Sequence, residues 1–282
     1  MAPDLTVRSF GAQDRQLALS YLEQAPRLNL ILVDLALRLG EPSRRGEPRV
    51  ELLGAFRGRG LMGMAALQPG VVLDATAGPE ALEVLFPYLS GVGSGLVKST
   101  EDVVAPLWDW LRSRGRRPLL DRIEIAYALD PPGESLEGPD EGVRLRPARA
   151  GDLSALVEAA RASLREENRP DAFEGDPAGF RRWVKSRLSR ATVAEAGGEV
   201  VFVAYADVRC KRGWLLQGVY TWPASRRRGL AAAGVSGICR EAFSAGADHV
   251  QLAVVEGNLS AERLYQRLGF RPFARLRTVL FS

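Results

Sequence analysis

The chain has 282 residues, with 38 Lys and Arg against 34 Asp and Glu, a formal charge of +4, two cysteines and one histidine. That length suits two domains, each large enough to bury its own core without disulfide staples, and two distant cysteines with a single histidine exclude a structural zinc site. No apolar run reaches the roughly 18 residues of a membrane span, the start lacks a basic segment followed by an apolar one, and no aromatic–basic interleaving argues for nucleic acid, so the chain reads as cytoplasmic, with no membrane and no nucleic-acid partner.

In the first half, residues 7–10 read as a short strand, and Asp14 stands where an aspartate caps a helix, followed by Gln-Leu-Ala-Leu-Ser-Tyr-Leu. Arg57-Gly58-Arg59-Gly60-Leu61-Met62 joins two apparent strands with no helix after it, and reads as a hairpin turn. A stretch over 71–80 leads into a helix over 81–89. The glycine-rich run 91–99 resembles nucleotide loops only superficially. A phosphate loop needs glycine directly before its lysine, where Val97 stands, and the dinucleotide fingerprint needs glycine at Leu96. A helix containing Leu107 to Leu111, the turn Gly115-Arg116-Arg117-Pro118 and a strand over 122–127 close this half.

Residues 131–142 are proline, glycine and acidic residues with little to offer a core, so they form a linker between domains 1–130 and 143–282. The second domain opens with a strand over 143–146 and an amphipathic helix over 152–165 behind Asp152. Pro177 starts a helix to 188, at the first-turn position that proline tolerates. Strands over 192–196 and 199–208 join at Gly197-Gly198, a hairpin signal. A strand over 214–220, a helix over 230–244, a strand over 250–255, a helix over 259–267 and a strand over 272–281 complete it. This is an α/β domain with a mixed sheet. The halves read as distant copies: both open strand–aspartate–helix, and both end in a helix, a Gly-x-x-Pro turn and a strand.

The chemistry concentrates after the strand Gln217-Gly218-Val219-Tyr220-Thr221-Trp222-Pro223. Proline ends the strand's ladder. The basic turn Arg226-Arg227-Arg228-Gly229-Leu230-Ala231 then runs straight into a helix. Such a turn aims several backbone amides at one point beside the positive end of the helix dipole, which makes an anion site. A micromolar ligand needs about 8 kcal/mol, and charged hydrogen bonds supply about 1.5–3 each, so several contacts must act together. Downstream, Asn258-Leu259-Ser260-Ala261-Glu262-Arg263-Leu264-Tyr265-Gln266-Arg267-Leu268-Gly269-Phe270 follows a strand.

These residues carry a resemblance. Arg226-x-x-Gly229-x-Ala231 resembles the coenzyme A pyrophosphate loop of the GNAT acyltransferase superfamily. Asn258-x-x-Ala261-x-x-Leu264-Tyr265, closing on Leu268-Gly269-Phe270, resembles that family's last helix and turn. Val219-Tyr220-Thr221-Trp222-Pro223 looks most like its glycine N-acyltransferase-like branch. The resemblance implies tandem GNAT folds, each a mixed, mostly antiparallel central sheet flanked by helices. It implies acetyl-CoA or another acyl-CoA as co-substrate, held by Val219, Thr221, Arg226, Arg227, Arg228, Gly229, Leu230, Ala231 and Asn258 between two strands that splay apart. Val219 N–H would polarise the thioester carbonyl, and Tyr265 would protonate the departing thiolate. Asn258 reads also as a helix N-cap, and Tyr265 as a buried aromatic.

The positions where this family often carries a glutamate fall on Leu215 and Ala253, which accept no proton. Glu256 is the nearest carboxylate in sequence and the candidate base; Asp207 and His249 are weaker ones. Neither cysteine has a partner that would make it a nucleophile. The acidic stretch 166–176 would face a cationic acceptor, a small-molecule or peptide amine, while the glycine N-acyltransferase likeness points to a small amino acid. In the first half, no arginine precedes the helix, Pro79 and Glu80 stand where the anion would go, and Val104 and Leu111 replace Asn258 and Tyr265, so it reads as a degenerate copy. The expectation is an N-acyltransferase acting by direct attack of a primary amine, as monomer or homodimer. The alternatives are a non-catalytic acyl-CoA sensor and a tandem synthase acylating a sugar-thiol or antibiotic amine.

Overall fold

The structure, a computed structural model, describes residues 5–42, 49–68, 70–89, 95–131, 136 and 143–281. The chain forms two compact units, one of Met1–Ile125 with Ala274–Ser282, the other of Ala126–Phe273. This division differs from a cut at a linker. The end of the chain goes to the first unit, and residues 126–129 go to the second. Of the expected linker, only Pro131 and Leu136 fall among the described residues.

The first unit runs β1 (Thr6–Ser9), α1 (Arg15–Leu22), α2 (Leu30–Leu37), β2 (Glu51–Arg57), β3 (Gly60–Gln68), β4 (Val71–Leu73), α3 (Pro79–Leu89), β5 (Gly95–Thr100), α4 (Glu101–Ser113) and most of β6 (Pro118–Leu129). Strands β1 to β4 pair antiparallel in sequence, and β4 pairs parallel with β5. The turn at Gly58 is the expected hairpin between β2 and β3. Residues 91–94 of the glycine-rich run lie outside the described residues, and Gly95–Thr100 is strand.

The second unit runs β7 (Arg144–Pro147), α5 (Leu153–Glu166), α6 (Pro177–Ser186), β8 (Ala191–Ala196), β9 (Glu199–Cys210), β10 (Gly213–Thr221), α7 (Leu230–Ser244), β11 (Val250–Val255), α8 (Leu259–Arg267) and the start of β12 (Arg271–Phe281). The elements follow the expected order, with the hairpin glycines Gly197 and Gly198 both at positive φ. Strands β7 to β10 pair antiparallel in sequence. Leu156, Phe180, Val193, Val203 and Tyr205 form one core cluster between the α5–α6 layer and the sheet.

The last strand is what separates the units from the two sequence halves. From Leu276 to Phe281, β12 pairs antiparallel with β5, reaching Gly95. Its Val279 and Phe281 lie in the first unit's core, where the Phe281 ring meets Trp108 at 6.1 Å. Burying two such side chains is worth about 1.5–3 kcal/mol each, and Thr278 Oγ1 adds a hydrogen bond to buried Glu124 at 3.0 Å.

The two units repeat one element order and one polar device. Arg8 grips Asp14 through both carboxylate oxygens, at 3.0 and 2.9 Å, and Gly11 N–H donates to Asp14 at 2.9 Å. Six residues apart in the same way, Arg146 grips Asp152 at 2.7 and 2.9 Å, and Arg149 N–H donates at 2.8 Å. Both aspartates were expected to cap the following helix. Each instead reaches back to close a short 3-10 turn and to hold the first strand against it. The arginine bonds keep both carboxyls below the usual carboxylate range.

Candidate functional site

The second unit's sheet opens where the sequence motif lies. Strands β10 and β11 pair in parallel only at Trp214–Val250 and Leu215–Gln251. On its other edge, β10 keeps antiparallel register with β9 but slips between Gln217 and Tyr220. Gly218 makes that slip possible: its φ is +57°, and a Cβ there would stand 3.0 Å from the Tyr205 ring. Val219 therefore has no register partner on β9, beside a stretch where the pairing with β11 has already ended. A gap between parallel neighbours exposes main-chain groups that a ligand can use in place of a strand.

The basic turn sits at the end of this gap. Ser225 and Arg226 donate their amides back to Trp222 and Pro223, and the ladder of α7 begins with Ala233 N–H to Gly229 O at 2.9 Å. Among the described residues, the amides from Arg227 to Ala232 find no protein acceptor, and no side chain caps the helix. Gly229 holds the N-cap position at φ +72°, in the left-handed region where a side chain costs energy. Arg227 sits at φ +60° despite having one. Uncapped donors beside a positive helix end, with an unfavourable backbone angle spent on arranging them, are the features of an anion site.

A cleft of about 780 Å³ joins these parts. It is lined by Val219, Thr221, Arg226, Arg227, Gly229, Leu230, Ala231, Asn258 and Tyr265, all within the second unit. Arg228 and Glu256 are exposed and stand outside the lining. Asp207 is gripped by Arg187, and His249 is buried with its Nε2 2.8 Å from Gln251 Oε1; neither lines the cleft.

Arg226 is engaged by the protein itself. Its Nη2 donates to Glu166 and its Nε donates to the Thr221 carbonyl at 3.0 Å. The Tyr220 hydroxyl donates to the same Glu166 carboxylate at 3.2 Å. The side chain thus ties the basic turn to the end of α5, and the open amides come from its neighbours. Asn258 is the N-cap of α8, its Oδ1 accepting from Ala261 N–H at 3.2 Å, which leaves Nδ2 for a ligand. Tyr265 is 6% exposed, its ring edge-on to Phe270 at 5.7 Å. Burial, reinforced by nearby Cys239, raises its phenol well above the usual tyrosine range.

Ser163, Glu166 and Glu167 also line the cleft. Sequence reasoning assigned the two glutamates to the acceptor side. Their spacing with Ser163, three and four residues on, already marks them as one helical face. Arg263 and Arg267 line it from α8 with the same spacing.

Residues 154–270 match the model of the acetyltransferase (GNAT) family. No curated protein sequence matches the chain. Among solved structures, a Drosophila protein aligns with a TM-score of 0.72 at 16% identity, covering 97% of this chain and 98% of its own. A GCN5-related N-acetyltransferase from Sphaerobacter thermophilus aligns at 0.60 and 18%, covering 99% and 95%. A tandem GNAT protein from the clavulanic acid biosynthesis pathway aligns at 0.57 and 14%, covering 98% of each chain. At such identities the likeness is one of fold, and it extends over both units. The family match does not distinguish a glycine N-acyltransferase-like branch.

Proposed function

From the membership of residues 154–270 in the GNAT acetyltransferase family, we propose that the second unit transfers an acyl group, acetyl foremost, from acyl-CoA to a primary amine. The observation that carries this reading is the run of acceptor-less amides from Arg227 to Ala232, in residues that, Arg228 aside, line the same cleft as Val219 and Tyr265. A diphosphate carries the charge and the acceptor atoms that this turn lacks.

In this reading the turn amides hold the diphosphate, while Thr221 and Asn258 Nδ2 hold the pantetheine arm along the gap between β10 and β11. Val219 N–H bonds the thioester oxygen as charge builds on it. The amine nitrogen attacks the carbonyl carbon, the carbon–sulfur bond breaks, and the amine's proton leaves to solvent. Tyr265 supplies a hydrogen bond to the departing sulfur. Its raised phenol makes complete proton transfer to a thiolate unfavourable, so it acts more as a donor that steadies the thiolate than as an acid that neutralises it. Glu166 does not serve as base in this scheme, being held by Arg226 and Tyr220. Glu256 would need to move to reach the cleft.

The first unit is read as silent. In the turn after β4, Asp74 is fully buried and accepts from Asn29 Nδ2 at 2.9 Å, Tyr21 Oη at 2.7 Å, and Thr76 N–H and Oγ1 at 2.9 and 2.7 Å. An internal carboxylate there takes the donors that an anionic ligand would need.

Release of free thiol from acetyl-CoA, followed with a panel of amines, tests the proposal. Thiol appearing with at least one amine supports transfer. Tight coenzyme binding with no thiol from any acceptor would favour the second reading, a binding protein, which the lack of an uncommitted base at Leu215 and Ala253 recommends.

A further inference from the structure

Strand β10 leaves its register with β9 twice, and the second slip undoes the first. The ladder runs in one register through Trp214–Arg209 and Leu215–Val208, and returns to it at Tyr220–Val203 and Thr221–Phe202. Only Leu216 and Gln217, opposite Ala206 and Tyr205, are displaced by one residue. The first slip leaves Asp207 extra on β9, and the second leaves Gly218 and Val219 opposite the single residue Ala204. A continuous ladder with neither bulge is therefore open to the same two strands, and other contacts must hold the displaced stretch.

Arg187, at the C-cap of α6, touches both bulges. Its Nε donates to Asp207 Oδ1 at 3.1 Å and its Nη2 donates to Asp207 Oδ2. Each of the two side chains is only 14% exposed. The guanidinium also lies over the Tyr205 ring, 4.1 Å from its centre. A Cβ on Gly218 would stand 3.0 Å from that ring and 3.9 Å from Arg187 Nη2. One guanidinium thus reaches from the extra residue of β9 to the glycine that begins the bulge of β10, all within the second unit.

Resting on the acyl-CoA reading, we propose that Arg187 and Asp207 are positioning residues, whose ion pair locks the two bulges and so sets Val219 N–H where the thioester oxygen binds. The Asp207 carboxylate is taken up by Arg187 and acts through the backbone, not as a base. Burial of Tyr205 in the core beneath α5 and α6 supports the same register. The ion pair adds direction to it, because the guanidinium fork meets a carboxylate in one planar geometry. A slip to the continuous ladder would turn Leu216 and Gln217 to opposite faces and straighten the bend before Val219.

The test is a calorimetric comparison of acetyl-CoA with S-ethyl-CoA, which has the same nucleotide and pantetheine but no carbonyl oxygen. It uses the full chain and Arg187→Lys, Asp207→Asn and Arg187→Met/Asp207→Leu. The unmodified protein is expected to prefer acetyl-CoA by about threefold or more, the scale of one net hydrogen bond. Each variant should bring that ratio toward one while the affinity for S-ethyl-CoA holds, since the turn amides are untouched. Arg187→Lys keeps the charge and loses the fork. The double variant strands no charge, so it keeps the test open if the single variants fail to fold. With an accepted amine, kcat should fall in parallel while KM for acetyl-CoA changes little. A lowered melting temperature with the ratio and kcat intact would make the pair structural only and overturn the proposal. Equal affinities in the unmodified protein would overturn it too, while leaving coenzyme binding in place. Failure of both ligands to bind the unmodified protein would instead remove the acyl-CoA reading itself.

Discussion

Arg226 Nη2 stands 2.7 Å from each carboxylate oxygen of Glu166. The first arginine of the basic turn is therefore bound to the end of α5, and its charge is largely spent before any ligand arrives. Both side chains are nearly half exposed, at 42% and 45%, and exposed pairs contribute only about 0–1 kcal/mol. Arg226→Ala is expected to weaken acetyl-CoA binding less than tenfold, about the effect of loosening a strut. Glu166→Gln should behave similarly. Calorimetry checks both, and a hundredfold loss on Arg226→Ala would mean that the guanidinium itself is a principal phosphate ligand.

Gly229 offers the contrasting case. Aspartate is among the side chains that best tolerate its backbone angle, and as an N-cap it can satisfy amides of the first turn of α7. Gly229→Asp should therefore leave thermal stability nearly unchanged while removing coenzyme binding, because its carboxylate would stand in the diphosphate's place. Melting temperature and coenzyme affinity, measured on the same preparation, separate this from simple misfolding. Undiminished affinity would mean that the turn is not the site.

Tyr265→Phe removes one hydroxyl from the cleft and keeps the ring against Phe270. The raised phenol limits its value as an acid. The expected loss in kcat is at most about 10²-fold, the low end of acid–base contributions, with KM for acetyl-CoA little changed. Steady-state kinetics with any accepted amine provides the check. Unaltered kcat would leave Tyr265 as core packing only.

The last strand makes the first unit dependent on the end of the chain. Phe281→Ala leaves a cavity against Trp108 and should cost about 3–5 kcal/mol of the first unit's stability. A chain ending at residue 130 should lack a cooperative unfolding transition, since it is missing the partner of β5. Chemical denaturation followed by tryptophan fluorescence reports both; cooperative unfolding of the 1–130 fragment would show that the strand is dispensable.

Glu124 gives this unit an acid sensitivity. Burial alone would raise its carboxyl, but Lys98 and Arg122 outweigh that and hold it at about 2, below an ordinary value of 4.5. A folded value below the unfolded one favours the folded state above about pH 4.5, and the contribution fades as pH falls toward 2. Stability measured between pH 6 and pH 2, on the order of the range in which carboxylates titrate, should decline through that window. Glu124→Gln should flatten the decline and lower stability at neutral pH, where Lys98 and Arg122 lose their partner. A variant retaining the full decline would assign it to other carboxylates.

Elements with their own periodicity or punctuation were legible from sequence. Helix α7, strand β11 and helix α8 fall where glycine, Asn258 and the apolar spacing put them. Asn258 and Tyr265 of the last helix and all of the basic turn but Arg228 were named from sequence and line the cleft, because turn and helix are contiguous pieces of chain; Arg263 and Arg267, which also line it, were not singled out. Contributions from distant segments were not legible. Nothing near Glu166 in sequence marks it as the partner of Arg226, 60 residues away. Glu256 lies next to the motif in sequence, yet it is exposed and outside the cleft lining. The last strand reads as the close of the second half, and its pairing with β5 depends on an edge that only the folded first unit presents.

The most direct test is a crystal structure of the full chain with acetyl-CoA bound. Diphosphate oxygens are expected at about 2.9 Å from amide nitrogens between Arg227 and Ala232, the usual hydrogen-bond separation, with Arg226 still on Glu166 and the thioester beside Val219. Coenzyme seated elsewhere, with those amides facing solvent alone, would contradict the assignment.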